Sequence, residues 1–408
     1  MRVLILSWEY PPIVEGGLAR HVHKIATQMA LAGHDVHVLT RGEHDGVSGA
    51  AAGGVQGVPV IHRVPEPERP DQLDAFIEWI ARMNEDMVGR GLALIAEHGF
   101  DVIHGHDWLV ASAADRLARH AAVPMVATIH ATEFGRHQGW VDKHPQSHIH
   151  GIETWMARRA DRVITCSDYM RGHVADVFGR DEQRITVIPN GIDPDDLRPS
   201  GDLTALRAQY AAPHERLVVL VGRLVYEKGF QHALEALAGP DGVIARVGDV
   251  RFVVAGSGTH EQELHAQAAE LGLDDHGRFL GWVGDDVLHA LYRVADLSVV
   301  PSIYEPFGLV ALEAMASGCP CIVADSGGLR EVVPDSFVGM RFPSRDAQAL
   351  AGSMVRLLTD EDLRQDVIAR STEHIRRFDW AEIARETAVV YDEVIAAAGR
   401  TQPEPASR

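Results

Sequence analysis

The sequence predicts two doubly wound α/β domains, each a parallel sheet covered by helices, facing one another across a cleft. Three observations predict it. Short apolar runs alternate with helical stretches along nearly the whole chain, the pattern of strands buried on both faces between crossover helices. The series then restarts. An Asp-, Pro- and Gly-rich segment, DPDDLRPSGD at 193–202, separates a first run of strands from a second that opens in the same way, strand, glycine loop and helix. Finally, 408 residues suffice for two or three domains of about 150 each, with ample apolar surface for two cores.

Taken in order, Val3 to Leu6 is a buried strand, a loop runs through Gly16 and Gly17, and Ala19 to Ala32 is helical up to a stop at Gly33. HDVHVLT (34–40) is the next strand, and 73–98 is helical. DVIHGHD (101–107), VPMVATIHAT (123–132), RVITCS (162–167) and ITVIPNGID (185–193) are strands that run into loops. The second series comprises RLVVLVGRLVYEKG (216–229), RFVVAGSG (251–258), RFLGWVG (278–284), LSVVPS (297–302) and CPCIVADSGG (319–328). Helices fill 346 to about 397. The expected domains are Rossmann-like: 1–197, completed by a C-terminal helix at about 379–397, and 198–378, with a loose tail at 398–408.

Composition excludes several functions. Lys and Arg number 38 against 58 Asp and Glu, a formal charge of −20, so neither a sequence-independent nucleic-acid binder nor a basic membrane-surface protein is expected. The first apolar run is too short for a signal-peptide core, and no stretch approaches membrane-spanning length, so a soluble cytoplasmic protein is expected. Cys166, Cys319 and Cys321 form neither a disulfide framework nor a Cys-x-x-Cys pair. Among the 23 histidines, HGHDW and HPQSHIH lack the His-Glu-x-x-His spacing of a zinc helix. Asp193-Pro194-Asp195 superficially matches a metal-binding Asp-x-Asp, but Pro194 and the adjacent Asn190-Gly191 make it a turn. No metal is predicted.

The most informative segment is SIYEPFGLVALEAMASGCP at 302–320. The amides of Phe307, Gly308 and Leu309 at a helix start form an anion site, reinforced by the helix dipole. Glu313, within the first two turns, would reach ribose hydroxyls, and Glu305 would meet hydroxyls of a transferred sugar. The plainer alternative is a surface helix whose acids merely favour its N-terminus. Arg223 and Lys228 flank a loop directly after a strand, where two cations could neutralise a diphosphate without a metal, or could be ordinary solvated charges. Gly16 and Gly17 would let backbone approach a ligand, or make a tight turn; the pattern is not Gly-x-Gly-x-x-Gly. Gly256 and Gly258 in AGSG are equally weak alone. His130 and Asp107 sit at strand ends facing the cleft, where a purely structural polar role is the alternative.

Together and in order, the GG loop at Gly16-Gly17, HDW ending at Trp108, TIH ending at His130, IPNGID, GRL with EKG, AGSG and EPFGLVALEA resemble retaining glycosyltransferase family 4, the glycogen-synthase-like enzymes with a GT-B fold. SWEYPP, GGLARHVH, HDWLV and TIHATEFGRHQGW look like the mycobacterial α-(1→4)-glucosyltransferases of glycogen and methylglucose polysaccharide synthesis within it.

The resemblance implies roles by position. Arg223, Lys228 and backbone near Gly16-Gly17 and Phe307-Gly308-Leu309 bind the donor diphosphate; Glu313 binds ribose, and Glu305 the donor sugar. His130 bonds near the sugar 6-hydroxyl, Asn190 lines the sugar, Gly256 and Val283 lie near the base, and Asp107 and Tyr10 face the acceptor. It further implies a nucleotide-sugar donor, an oligo- or polysaccharide acceptor, no cofactor or metal, and retention of anomeric configuration without an enzyme nucleophile. RRFDWAEIA (376–384) resembles the point where the last helix crosses back to the N-terminal domain. The alternatives are a same-family transferase making maltose 1-phosphate, a mannosyltransferase and, from another class, a nucleotide-sugar 2-epimerase. A non-catalytic sugar-nucleotide sensor is disfavoured because all the candidate charged groups are present.

Overall fold

The computed structural model describes residues 1–43, 57–66, 69–70, 72–199 and 201–401. It divides into two compact units, Met1–Gly191 with Trp380–Arg408, and Ile192–Asp379. The sequence placed these divisions after 197 and 378. Of the tail expected from 398, the first four residues end a helix, Trp380–Thr401, and 402–408 lie outside the described residues.

The first unit is built on seven parallel strands: β1 (Arg2–Leu6), β2 (Asp35–Arg41), β3 (Val60–Val64), β4 (Val102–His106), β5 (Met125–Ile129), β6 (Arg162–Thr165) and β7 (Ile185–Val187). Their order is β3-β2-β1-β4-β5-β6-β7. The chain thus builds outward from β1 to one side, then returns to build the other. Loops at the carboxyl ends of β1 and β4 therefore diverge and leave a crevice, where ligands of such sheets bind. Val3, Leu4, Ile5 and Leu6 are fully buried, as a strand covered on both faces must be. The sequence reading lacks β3; VIHRV is a five-residue edge strand closely bracketed by Pro59 and Pro65.

The helix Gly17–Leu31 buries Ala19, Val22, Ile25, Ala26, Met29 and Ala30, a 3–4 residue spacing that lays one stripe on the sheet. The C-terminal helix shares this core: Trp380, Ile383, Tyr391 and Val394 join Val22, Ile25 and Met29 in one cluster. Gly191 anchors the junction, because a Cβ there would meet the Trp380 ring at 2.4 Å. Deeper, Tyr391 Oη lies 2.6 Å from His104 Nδ1, and His104 Nε2 lies 2.7 Å from Thr128 Oγ1, so this buried imidazole is fully partnered.

The second unit has six parallel strands: β8 (Arg216–Val221), β9 (Val250–Ala255), β10 (Gly277–Phe279), β11 (Leu297–Val300), β12 (Cys321–Ala324) and β13 (Met340–Phe342). The order β10-β9-β8-β11-β12-β13 places its reversal between β8 and β11. β13, only three residues long, was also absent from the sequence reading. All three cysteines are free and buried. Among the described residues, no helix is long and apolar enough to cross a membrane.

Gly256, at the end of β9, has φ +140, and a Cβ would lie 1.9 Å from the carbonyl oxygen of Gly222. The glycine is thus demanded by two crossing backbone segments of the same unit. Gly256→Ala is expected to destabilise the second unit by about 2–4 kcal/mol, since strain and backbone displacement add. Denaturant unfolding checks this; an unchanged midpoint would contradict it.

Candidate active site

In the first unit the polar side chains gather beyond the carboxyl ends of β1, β4 and β5. The loop after β1 is braced from beneath. Glu9 is 3% exposed and accepts the Glu15 amide at 2.5 Å. Burial raises its carboxyl pKa while the amides of Glu15 and Gly16 draw it back. Arg41, buried at the end of β2, donates from Nε to Trp8 O at 2.7 Å, lies 4.5 Å over the Trp8 ring, and pairs with Glu15 and Glu66. On this support Gly16 is exposed and extended (φ −172), with nothing within 4 Å of where a Cβ would sit. No contact within the unit requires glycine there; Gly17 begins the helix, whose first amides have no intrahelical partners.

Tyr10 belongs to the core instead of an open acceptor surface. It is 3% exposed, its hydroxyl lies 3.0 Å from His23 Nδ1, and burial pushes its pKa up to about 12.

Asp107 follows β4 in the left-handed region, φ 60, where a residue with a Cβ is strained. Its Oδ1 accepts the backbone amide of His130 at 2.8 Å. Burial raises the carboxyl to about 6, against the pull of the Arg136 guanidinium and of the His130 and Ala131 amides. His130, just past β5, places Nε2 3.0 Å from His106 Nδ1. Burial, reinforced by Arg136, lowers its imidazole to about 3, so it is neutral at neutral pH and serves as a hydrogen-bonding group, not a cation.

The loop carrying His130 is fixed on its far side as well. Thr132 caps the short helix Glu133–Arg136, accepting the Gly135 amide at 3.0 Å, and the amide of Glu133 donates to both carboxyl oxygens of Glu153, at 2.9 and 3.0 Å. Glu153 is 3% exposed, and burial moves its pKa from 4.5 to about 8. Its folded form keeps a proton that the unfolded chain releases above 4.5, so its contribution to stability is full at low pH and lost as pH rises toward 8. Glu153→Gln keeps the acceptor and removes the titration. The variant should match the parent near pH 4.5 and exceed it at pH 8, by on the order of 1.4 kcal/mol per pH unit crossed. Unfolding at both pH values checks this; a difference independent of pH contradicts it.

Asn190, after β7, is 6% exposed, and its side chain bonds the His21 ring. Near it His21, from the buried face of the first helix, stands 4.7 Å ring to ring from His130 and 5.5 Å from His106. Among the described residues this trio alone brings three metal-capable groups together, one nitrogen from each lying within 4.8 Å of the others. The sequence missed it because its members come from three elements, with no spacing to mark them.

In the second unit the site lies at the reversal between β8 and β11. Arg223, exposed, follows β8, and Lys228 ends the turn Tyr226–Lys228. Lys228 Nζ lies 2.6 Å from Glu305 Oε2, and Ser302 Oγ donates to the same oxygen at 3.2 Å. Glu227 O, accepting the Ile303 amide at 2.8 Å, ties the two loops together. Lys228 is expected on a diphosphate and Glu305 on a sugar, as separate groups; the structure joins them as an ion pair. Gly229 makes the close approach possible: its φ is +71, and a Cβ would sit 2.0 Å from Pro301 O.

The Phe307 ring is 3% exposed and meets Phe378 edge-on at 5.8 Å, so only its backbone is available to a ligand. Gly308 (φ +116) opens the helix Leu309–Ala316, whose first amides have no intrahelical partners. Glu313 is buried within that helix and accepts the Tyr292 hydroxyl at 3.4 Å. Val283, half-buried, lies in the loop between β10 and the helix Asp285–Val294, next to the 76% exposed Trp282.

Two family models match the chain: Glycosyltransferase Family 4 over residues 15–196 and Glycosyl transferases group 1 over residues 204–374. A glycogen synthase of Mycobacterium tuberculosis is 39% identical, the match covering 99% of this chain and 97% of that protein. A D-inositol 3-phosphate glycosyltransferase of Acidothermus cellulolyticus is 31% identical over 93% of this chain and 86% of that protein. The structure of sucrose-phosphate synthase from Thermosynechococcus elongatus matches with a TM-score of 0.80 at 24% identity, over 97% of this chain and 99% of that one. That likeness shows the fold, α/β of the GT-B type with two Rossmann-like domains.

Proposed function

The chain belongs to the family 4 glycosyltransferases and is a hexosyltransferase, and from that premise we propose that it extends an α-glucan. In this reading it moves glucose from ADP- or UDP-glucose to the end of a growing glycogen or methylglucose polysaccharide chain, making an α-(1→4) bond with retention. The observation that carries the reading is the near-full-length similarity to a glycogen synthase. The charged groups at the β8–β11 reversal support it.

The second unit supplies the donor groups. Arg223 and Lys228, with the amides of Gly308 and Leu309, take the diphosphate, Glu313 takes the ribose, and Glu305 takes the sugar while orienting Lys228. These cations and amides stand in for a metal ion, so transfer needs none. The first unit supplies neutral His130 for a sugar hydroxyl, Asp107 and Glu153 to hold the His130 loop, and the amide at Gly17. During transfer the anomeric C1–O bond to phosphate breaks as C1 bonds to the acceptor oxygen on the same face. The acceptor's proton passes to the departing phosphate oxygen, so no protein nucleophile is required. Catalysis then rests on positioning and on neutralising the leaving diphosphate.

Acceptor choice is tested by nucleotide release from ADP-glucose and UDP-glucose, with a maltooligosaccharide, glucose 1-phosphate or D-inositol 3-phosphate as acceptor. The expected result is release stimulated by the maltooligosaccharide alone. A phosphorylated acceptor needs an available cation, whereas Arg136 stands 3.7 Å from Glu133 and within the field of Asp107 and Glu153. Stimulation by either phosphate ester alone would overturn the glucan reading.

A further inference from the structure

The trio His21, His106 and His130 has features that sugar transfer does not explain. His106 is wholly buried and its Nε2 has no hydrogen-bond partner, and His21, 5% exposed, has the Asn190 side chain as its polar neighbour. Two buried imidazoles packed against a third, ring to ring at 4.7 to 5.5 Å, bring three nitrogen donors to one point. His106 Nδ1 and His130 Nε2 are already 3.0 Å apart, and a nitrogen of His21 completes a set within 4.8 Å.

We propose that His21, His106 and His130 form a three-imidazole site for a borderline transition-metal cation of the Zn²⁺ class, and that filling it stops sugar transfer. Tetrahedral zinc with nitrogens at about 2.0–2.1 Å spaces its ligands about 3.3 Å apart, so the His106–His130 pair is nearly in place and His21 closes by side-chain rotation. Imidazole donors without a ligating carboxylate select zinc, cobalt or copper over magnesium or calcium. Asp107, which accepts the His130 amide, lies behind the site as the nearby carboxyl group that offsets the added charge. Inhibition follows because a metal-bound His130 is withdrawn from the sugar. That half rests on the proposed function, whereas binding does not.

The test uses the full-length protein, stripped with a chelator and titrated with Co²⁺, whose visible d–d bands report four-coordinate nitrogen ligation. The expected result is one equivalent bound, displaced by Zn²⁺ and untouched by Mg²⁺. His21→Gln and His106→Gln should each weaken Co²⁺ by roughly tenfold or more, while His144→Ala, at an exposed histidine, leaves it unchanged. Anomalous diffraction at the zinc edge on the unmodified protein locates the ion without relying on variants that must fold. Absence of the bands, or an ion bound away from the trio, overturns the site. If Co²⁺ fills the trio and glucosyl transfer continues unchanged, the inhibitory role is overturned. A protein that binds Co²⁺ at the trio and transfers no glucose to any glucan refutes the proposed function and leaves the metal site standing.

Discussion

Arg223→Ala is expected to lower kcat/KM by about 30- to 1,000-fold, equivalent to about 2–4 kcal/mol of transition-state stabilisation. Arg223 follows β8 at the sheet reversal of the second unit and is exposed, so truncation should leave folding intact. Charge builds on the leaving diphosphate only as the C1–O bond breaks, so the loss should fall mainly in kcat. Arg223→Lys restores the charge without the planar fork and should recover only part of the rate. Steady-state kinetics with nucleotide release checks both; near-normal turnover of the alanine variant refutes the assignment of Arg223 to the diphosphate.

The Lys228–Glu305 pair should show the second large effect. Its side chains are 19% and 11% exposed and 2.6 Å apart. Removing one partner strands the other in a partly desolvated position, so Lys228→Ala or Glu305→Ala should each destabilise the second unit by about 2–4 kcal/mol. The double variant should recover much of that stability, because no lone charge is left, yet stay as inactive as the worse single variant. A double-mutant cycle read in both unfolding and turnover separates the two roles. Additive stability losses would mean that the pair does not form, and an active double variant would remove both groups from the chemistry.

How far the sequence shows the site depends on which residues one follows. Each strand with a full apolar run was legible, because Val3–Leu6 and Leu217–Leu220 are buried on both faces and leave no room for polar alternation. The short edge strands β3 and β13 were not, since runs of three to five residues are too short to show a period. Arg223, Lys228, Glu305 and Glu313 could be singled out because they punctuate a strand–loop–helix pattern with charge. That Lys228 and Glu305 touch was invisible: 77 residues separate them, and only the sheet order brings β8 beside β11.

Packing explains several positions that the sequence marks weakly or not at all. Gly256 stood out only as part of AGSG, and the structure adds a reason for glycine there in the Gly222 backbone. Tyr10 was expected to face the acceptor, and its ring lies in the core. His21 and Glu153 each occupy a buried helical position among apolar neighbours, and a lone polar residue in such a stripe was the one available hint of both.

The most direct test of the central claim follows the product itself by proton NMR, with purified protein, ADP-glucose or UDP-glucose and a maltooligosaccharide. Expected are new anomeric signals of α-(1→4)-linked glucose, growing in step with nucleotide release, dependent on the oligosaccharide and not diminished by prior chelation. β-Anomeric signals, or nucleotide release without any elongated glucan, would contradict it.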